Sequence, residues 1–199
     1  MESAIGWKCR LLAFLLAGAV SAEKASGWHF YATDRSAYSA RIDRQIAHSG
    51  GSSAHLRSNP AAVNQSFGLY WQKIDAARFR GQRVRLSAYL RTSGVRGWAG
   101  MWMRIDPKDG PSLEFENMQR RPLVGSNDWK AYQIELDVAE EAEEIHFGCL
   151  LVGQGEVWFD DINLQAAGPF QAGERQVRRA RHLPISPVDP SFEGEFERE

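Results

Sequence analysis

Trp98, Trp102, Arg104 and Asp106 put two indoles, a guanidinium and a carboxylate at even positions of one short stretch, WAGMWMRID. Successive side chains of an extended chain point to opposite sides, so these four share a face. Ala99, Met101, Met103 and Ile105 take the other face and read as core. Indoles can cover the apolar C–H side of a sugar ring. Guanidinium, carboxylate and amide groups can meet paired hydroxyls in fixed geometry. The mixture therefore suits a sugar or another polar ligand, as small-molecule sites join an apolar wall to a few convergent polar groups. A structural assignment is the alternative, with Trp102 packed into the core and Arg104 simply paired with Asp106.

Pro107-Lys108-Asp109-Gly110 reads as a turn, after which a second strand returns toward Arg121. It carries Asn117 and Gln119, which join the candidate ligand set, and Glu114, Glu116, Arg120 and Arg121, which read as rim charges. Tyr89 and Gln72 belong to strands that can neighbour this pair on one sheet, and they complete the set. Catalysis has less support. Asp106 with Glu114 or Glu116 is the main enzymatic alternative, a glycoside-hydrolysing pair, which needs a defined separation across a cleft. The histidines at 29, 48, 55, 146 and 182 show no zinc-like spacing. No G-x-S-x-G elbow and no phosphate-binding glycine loop is present. The reading is non-catalytic binding.

The elements that must hold this face are short strands. Gly27–Ala32, Ser53–Ser58, Phe67–Ile74, Gln82–Thr92, Trp129–Val138, Ile145–Val152 and Glu156–Leu164 alternate or run apolar between Gly, Pro, Asn and Asp turns. Residues 36–46 read as a further strand or an extended connection, 75–80 as a single helical turn, 123–128 as a loop and 140–144 as a short helix or solvated turn. In Gln82–Thr92, Val84, Leu86, Ala88 and Leu90 face inward, opposite Arg83, Arg85, Ser87, Tyr89 and Arg91. No long amphipathic helix follows residue 22. The expectation is an all-β sandwich, a jelly roll of about eight to ten antiparallel strands.

The ends of the chain differ from its middle. Lys8 and Arg10 precede the apolar run Leu11–Val20, and Val20-Ser21-Ala22 supplies compact residues before a cleavage point. Residues 1–22 thus read as a signal peptide, the domain as 23–166, and the Pro-, Gly- and charge-rich 167–199 as a tail. The expected location is secreted or periplasmic, with no stable membrane span after cleavage, since the run is shorter than the ~20 residues a span needs. Cleavage leaves Cys149 as the sole cysteine, in an apolar run, which excludes an internal disulfide and a multi-cysteine metal site. A net charge of −1 argues against nucleic acid as a partner.

GEVWFDDINL, preceded by IHFGCLLVG and WKAYQIELDV, resembles the last three strands of carbohydrate-binding-module-like jelly rolls with the galactose-binding-domain fold. The resemblance spans about Trp28 to Leu164. RGQRVRLSAYLRT, WAGMWMRID, FENMQRRP and GSNDW resemble a bacterial subgroup whose members are largely uncharacterised, some carrying the name transcriptional regulator without a DNA-binding segment. It implies a carbohydrate ligand, and a structural calcium to which Asp160 and Asp161 contribute; calcium takes several oxygen ligands, so this pair alone is too few. No other cofactor is implied. A protein-interaction domain at the cell envelope and a sensory domain of a regulatory system are the alternative functions.

Overall fold

The computed structural model describes residues 27–171. The segment read as a signal peptide and most of the expected tail lie outside the described residues. The described chain contains nine strands: β1 His29–Ala32, β2 Tyr38–Asp43, β3 Ser53–Ser58, β4 Phe67–Asp75, β5 Gln82–Pro107, β6 Glu114–Glu116, β7 Leu123–Val138, β8 Ala142–Val152 and β9 Glu156–Pro169. A 3-10 turn, Ala77–Phe79, is the helical turn expected after β4. β9 runs three residues past the expected domain end at 166, with Pro169 in register with Gln82.

Every strand pairing is antiparallel, and β5 decides the architecture. Its first half, to Ser93, lies between β7 and β9. Its second half, from Trp98, lies between β8 and β6. The sheet therefore doubles over into two layers. The first is β2-β3-β9-β5-β7, and the second is β1-β4-β8-β5-β6. Gly97 marks the passage between them, since a Cβ there would run into the Val152 carbonyl. Read from sequence, 82–92 and 98–106 are two strands. They form one because β7 follows the bend, shifting register between Leu90, Thr92, Val95 and Ala99. Turn-forming residues make that possible and place 123–128 within β7 rather than in a loop. Ser126 Oγ accepts the Gly94 N–H at 3.0 Å, and Asn127 Nδ2 donates to Thr92 Oγ1 at 2.8 Å. The expected strand up to Arg121 shrinks to β6. Its pairing stops where Asn117 Oδ1 accepts the Gln119 N–H and Met118 turns left-handed at φ 60°.

The core lies between the layers. Val84, Leu86, Ala88 and Leu90 of the first half of β5 meet Ala99, Met101, Met103 and Ile105 of the second, all essentially sealed from solvent. Ile134, Leu136, Val138, Val157 and Phe159 extend the first layer's share; Tyr70, Ile145, Phe147 and Leu151 extend the second's. Each large apolar side chain so buried contributes about 1.5–3 kcal/mol. Cys149 belongs to this core, where burial pushes its thiol up to about 12, so it serves as a small apolar residue.

Polar residues lock the outside of the first layer. Arg83 pairs with Glu135 and Asp137 across β7 at 3.2 and 3.1 Å, and Arg85 with Glu135 at 2.7 Å. Across β2, β3 and β9, buried His55 accepts the Arg41 Nε–H at its Nδ1 (3.1 Å) and bonds Glu156 Oε2 through Nε2 (2.8 Å). Its ring stacks on Trp158, whose indole N–H donates to Asp43 at 3.1 Å. These partners suit a neutral imidazole with its proton on Nε2. Burial, reinforced by Arg41 against the attraction of Glu156 and Asp43, lowers the His55 pKa below its ordinary 6.5.

Leu86→Ala is expected to cost about 2–5 kcal/mol in urea denaturation, whereas Ser87→Ala, one residue along on the outer face, changes stability by less than about 0.5 kcal/mol. Equal costs would contradict the assignment of faces. A second expectation concerns pH. His55, and His146 on β8, are buried with lowered pKa values. The unfolded chain therefore takes up these protons first, and stability present above 6.5 is lost as pH falls through the folded values. The melting temperature should drop between pH 7.5 and 5.5, and His55→Gln with His146→Gln should flatten that drop. An unchanged slope would assign the acid sensitivity to other groups.

Candidate ligand-binding face

The outer face of the second layer is defined by register. Trp71, Gly148 and Trp102 stand side by side on β4, β8 and β5; the next row is Lys73, His146 and Arg104, and the next Asp75, Glu144 and Asp106. Phe115 of β6 extends the middle row beside Arg104, and His29 of β1 stands beside Trp71. Trp98 shares this face one step before Gly100.

One end of the face is aromatic and closed on itself. Phe67, Leu69, Trp71, Trp102 and Leu150 form a second apolar cluster, with Tyr31, Trp98 and Val152 packed against it. Trp71 and Trp102 lie 6.4 Å apart between ring centroids. Gly148 keeps this spacing. A Cβ there would fall 2.7 Å from the Trp71 Cα. Trp102 is only 4% exposed and Trp98 half-buried. The turn bearing Asn117 and Gln119 lies over β5 here, since a Cβ on Gly100 would stand 3.0 Å from the Met118 Cβ and 3.4 Å from the Asn117 oxygen.

The other end is charged. Asp106 Oδ2 accepts from Arg104 Nε at 2.9 Å and lies 2.7 Å from its NH2 and 3.3 Å from His146 Nε2. His146 Nε2 also bonds Glu144 Oε2 at 3.0 Å, and Lys73 Nζ donates to Glu144 Oε1 at 2.9 Å. The His146 ring stacks on Trp71 at 5.4 Å, which joins the two ends. Burial, then Arg104, lower the His146 pKa, although Asp106 and Glu144 pull the other way. Burial raises Glu144, but Lys73 and His146 outweigh it and hold the carboxyl below its ordinary value. The hydrogen bonding of this face is incomplete. The Trp102 indole N–H and Asp106 Oδ1 have no hydrogen-bond partner among the described residues. Such groups cost roughly 1–3 kcal/mol each unless something bonds them.

Trp98, Trp102, Arg104 and Asp106 thus share a face, and the turn of Asn117 and Gln119 reaches it. Two expected neighbours do not. Tyr89 is on the outer face of the first layer, stacked on His48 at 3.5 Å, because β5 has changed layers between positions 89 and 98. Gln72 registers with Phe147 and hence with Met103, on the core side; Trp71 holds the outward position. The glycosidase-like pairing is also misplaced. Glu114 and Glu116 register with Ile105 and Met103, the inward residues, so they oppose the face of Asp106. Trp71, His146, Glu144, Lys73 and Phe115 are the members that sequence reasoning missed. The aromatic run FGLYW hides which ring faces outward, and His146 sits within an apolar stretch.

Asp160 and Asp161 do not fit a calcium site. They occupy the irregularity of β9 opposite Tyr89, Asp161 at φ 50°. Asp160 Oδ2 accepts the N–H groups of His48 and Ser49 (2.8 and 3.2 Å), and its Oδ1 accepts the Asp161 N–H at 2.8 Å. Asp161 bonds Ser49 Oγ and His48 Nδ1, both at 2.5 Å. Three of the four oxygens thus fasten the 48–49 loop, and the fourth holds the backbone of Asp161. No group of three or more His, Cys, Asp or Glu that could hold a metal exists among the described residues.

No family model matches the chain. It is 33% identical over 176 residues to the uncharacterised HTH-type transcriptional regulator YbfP of Bacillus subtilis, a match covering 88% of this chain and 59% of that protein. The chain thus spans less than two thirds of that relative. Among solved structures, the enzymatically active domain of tailspike protein 4 from bacteriophage CBA120 superposes with a TM-score of 0.57 at 11% identity, covering 71% of this chain and 19% of that one. The C-terminal family 22 carbohydrate-binding module of Clostridium thermocellum Xyn10B superposes at 0.52 with 13% identity, covering 75% and 92%. At these identities the likeness is one of fold, and the fold of this chain is the jelly roll of the carbohydrate-binding modules.

Proposed function

We propose that the chain binds a carbohydrate, or a polar ligand of similar chemistry, without catalysis, on the outer face of the second layer. The observation that carries this reading is the pair of unpartnered buried polar atoms, Trp102 Nε1 and Asp106 Oδ1, on a face that joins an aromatic cluster to a charged one. A donor and an acceptor left over on one face match a ligand rich in hydroxyl groups, each of which can accept and donate. Arg104 and Asp106 retain 13% and 18% side-chain exposure, so a ligand can reach part of each side chain. Trp98 and Phe115 provide the accessible apolar surface. The carboxylates near Asp106 are held by His146, Arg104 and Lys73, an arrangement for hydrogen bonding rather than for a free acid and nucleophile.

The curated relative favours a second role for the same binding, as the sensory part of a regulator. Export through residues 1–22 belongs to the first role, and cell fractionation separates the two: recovery outside the cytoplasm supports a secreted or periplasmic binder, and retention inside supports the sensor.

Calorimetry of the full chain against neutral oligosaccharides tests the binding. Xylo-oligosaccharides belong in the panel because one structure of this fold is named a xylan-binding domain. Trp98→Ala and Arg104→Ala should each weaken binding about tenfold or more, the size of one lost aromatic contact or charged hydrogen bond. Circular dichroism should show both variants folded. Failure of every glycan to bind at millimolar concentration, or wild-type affinity in both variants, would remove the proposal.

A further inference from the structure

An open sheet leaves strand edges whose backbone groups can pair with another chain. Four strands of this sandwich carry such an edge among the described residues. Three are short: β1 has four residues, β2 six and β6 three. β7 has 16, and it pairs with β5 alone. Over residues 130–138 that pairing runs without a register shift. Two contacts fix the direction of its backbone groups. The Val138 carbonyl accepts the Gly81 N–H at 2.9 Å, on the β5 side, and the Gln133 carbonyl accepts from Arg121 Nη2 at 2.5 Å, on the other side. Successive residues of an antiparallel strand turn these groups to alternate sides. Ala131, Gln133, Glu135 and Asp137 therefore present N–H and C=O groups away from β5. Of these groups, the Gln133 carbonyl alone meets a hydrogen-bond partner among the described residues. Trp129, at the head of the row, has its N–H closed by Asp128 Oδ1 at 2.8 Å.

The inward side of β7 suits a further strand. Ile134, Leu136 and Val138 form a buried apolar row that an added strand would extend. Two side chains oppose that addition. Arg121 lies across the middle of the edge, where its Nη2 bonds both the Gln133 carbonyl and, at 2.7 Å, Glu116 Oε1 of β6. Lys130 takes an inward position, in register with Leu90, yet it is exposed, with Nζ 5.9 Å from the centroid of the Tyr132 ring. A charge at an inward position penalises a neighbouring strand, because pairing would take the ammonium out of water. In a two-fold pairing of two copies centred on Gln133, Arg121 occupies the place of the central hydrogen bonds, and Lys130 stands opposite Leu136 of the second copy.

We infer that the β7 edge is a pairing surface for a second copy of this chain, and that Arg121 and Lys130 keep it closed. The Arg121–Glu116 pair is largely exposed, so its removal costs the fold little and acts at the edge.

Size-exclusion chromatography with light scattering on the full chain tests this. The wild-type chain should be a monomer. Arg121→Ala with Lys130→Thr should double in mass while circular dichroism shows the same fold. Gln133→Pro added to that pair should return the monomer, because it removes an N–H that faces away from β5 and so costs no bond of the ladder. Amide exchange followed by NMR reads the edge without relying on any variant. In the wild-type chain the Ala131, Gln133, Glu135 and Asp137 amides should exchange at least about tenfold faster than those of Tyr132, Ile134 and Leu136. The same four should slow in the dimer. A wild-type dimer, a folded double variant that stays monomeric, a dimer that Gln133→Pro leaves intact, or wild-type edge amides as slow as their neighbours would each overturn the inference.

Discussion

β5 is hydrogen-bonded on both edges in each of its halves, and it belongs to both layers of the sandwich. Its alternation within each half is the constraint on which the remaining structure depends. A strand with period two has one inward and one outward set, and slipping by one residue would exchange them. Over 26 residues such a slip would put Arg83, Arg85, Arg104 and Asp106 into the core and Leu86, Met101 and Ile105 into solvent. The bend at 93–97 moves the alternation by one residue, from even to odd inward positions, as β5 changes layer, and the register shifts of β7 lie along it. Both outer faces, with their very different chemistry, follow from the phase of the alternation in each half.

The two outer faces reach stability by different means. The first layer is covered by charged and hydrogen-bonded side chains in which carboxylates and guanidiniums mostly cancel. The second is covered by its own aromatic rings, a small core outside the main one, bordered by a charged network through His146. Exposed ion pairs in the first set contribute little each. The buried members, His55 and His146, matter more, because a proton added to either charges a group taken out of water. The same accounting points to the candidate ligand-binding face. Trp102 Nε1 and Asp106 Oδ1 remain without hydrogen-bond partners on the second layer.

Much of the strand order along the chain was legible because it rests on local signals. Ser53–Ser58 and the Val84–Leu90 face emerge as read, and Trp102, Arg104 and Asp106 do share a side. The misreadings arise where local and tertiary signals disagree. Gly94 and Gly97 suggest a break, yet partners on both edges hold β5 continuous. The Ser126 and Asn127 side chains suggest a loop, yet they bond to the bulges of a neighbouring strand. Trp71 and Gln72 are adjacent in an aromatic run, and only the pairing with Gly148 and Phe147 decides which points outward.

By itself the sequence determined the all-β class, the inward and outward sets of the principal strand, and the aromatic-and-charged chemistry of one face. These follow from side-chain period, turn residues and apolarity, which are properties of neighbouring residues. The tertiary structure decided which faces coincide. It separated Tyr89 from Trp98 although one strand carries both, and it joined His146, Glu144 and Lys73 to Arg104 and Asp106. Those placements depend on which strands pair over long sequence separation, and hydrogen bonding between backbones, being the same for every residue, leaves no mark of that choice in the local pattern.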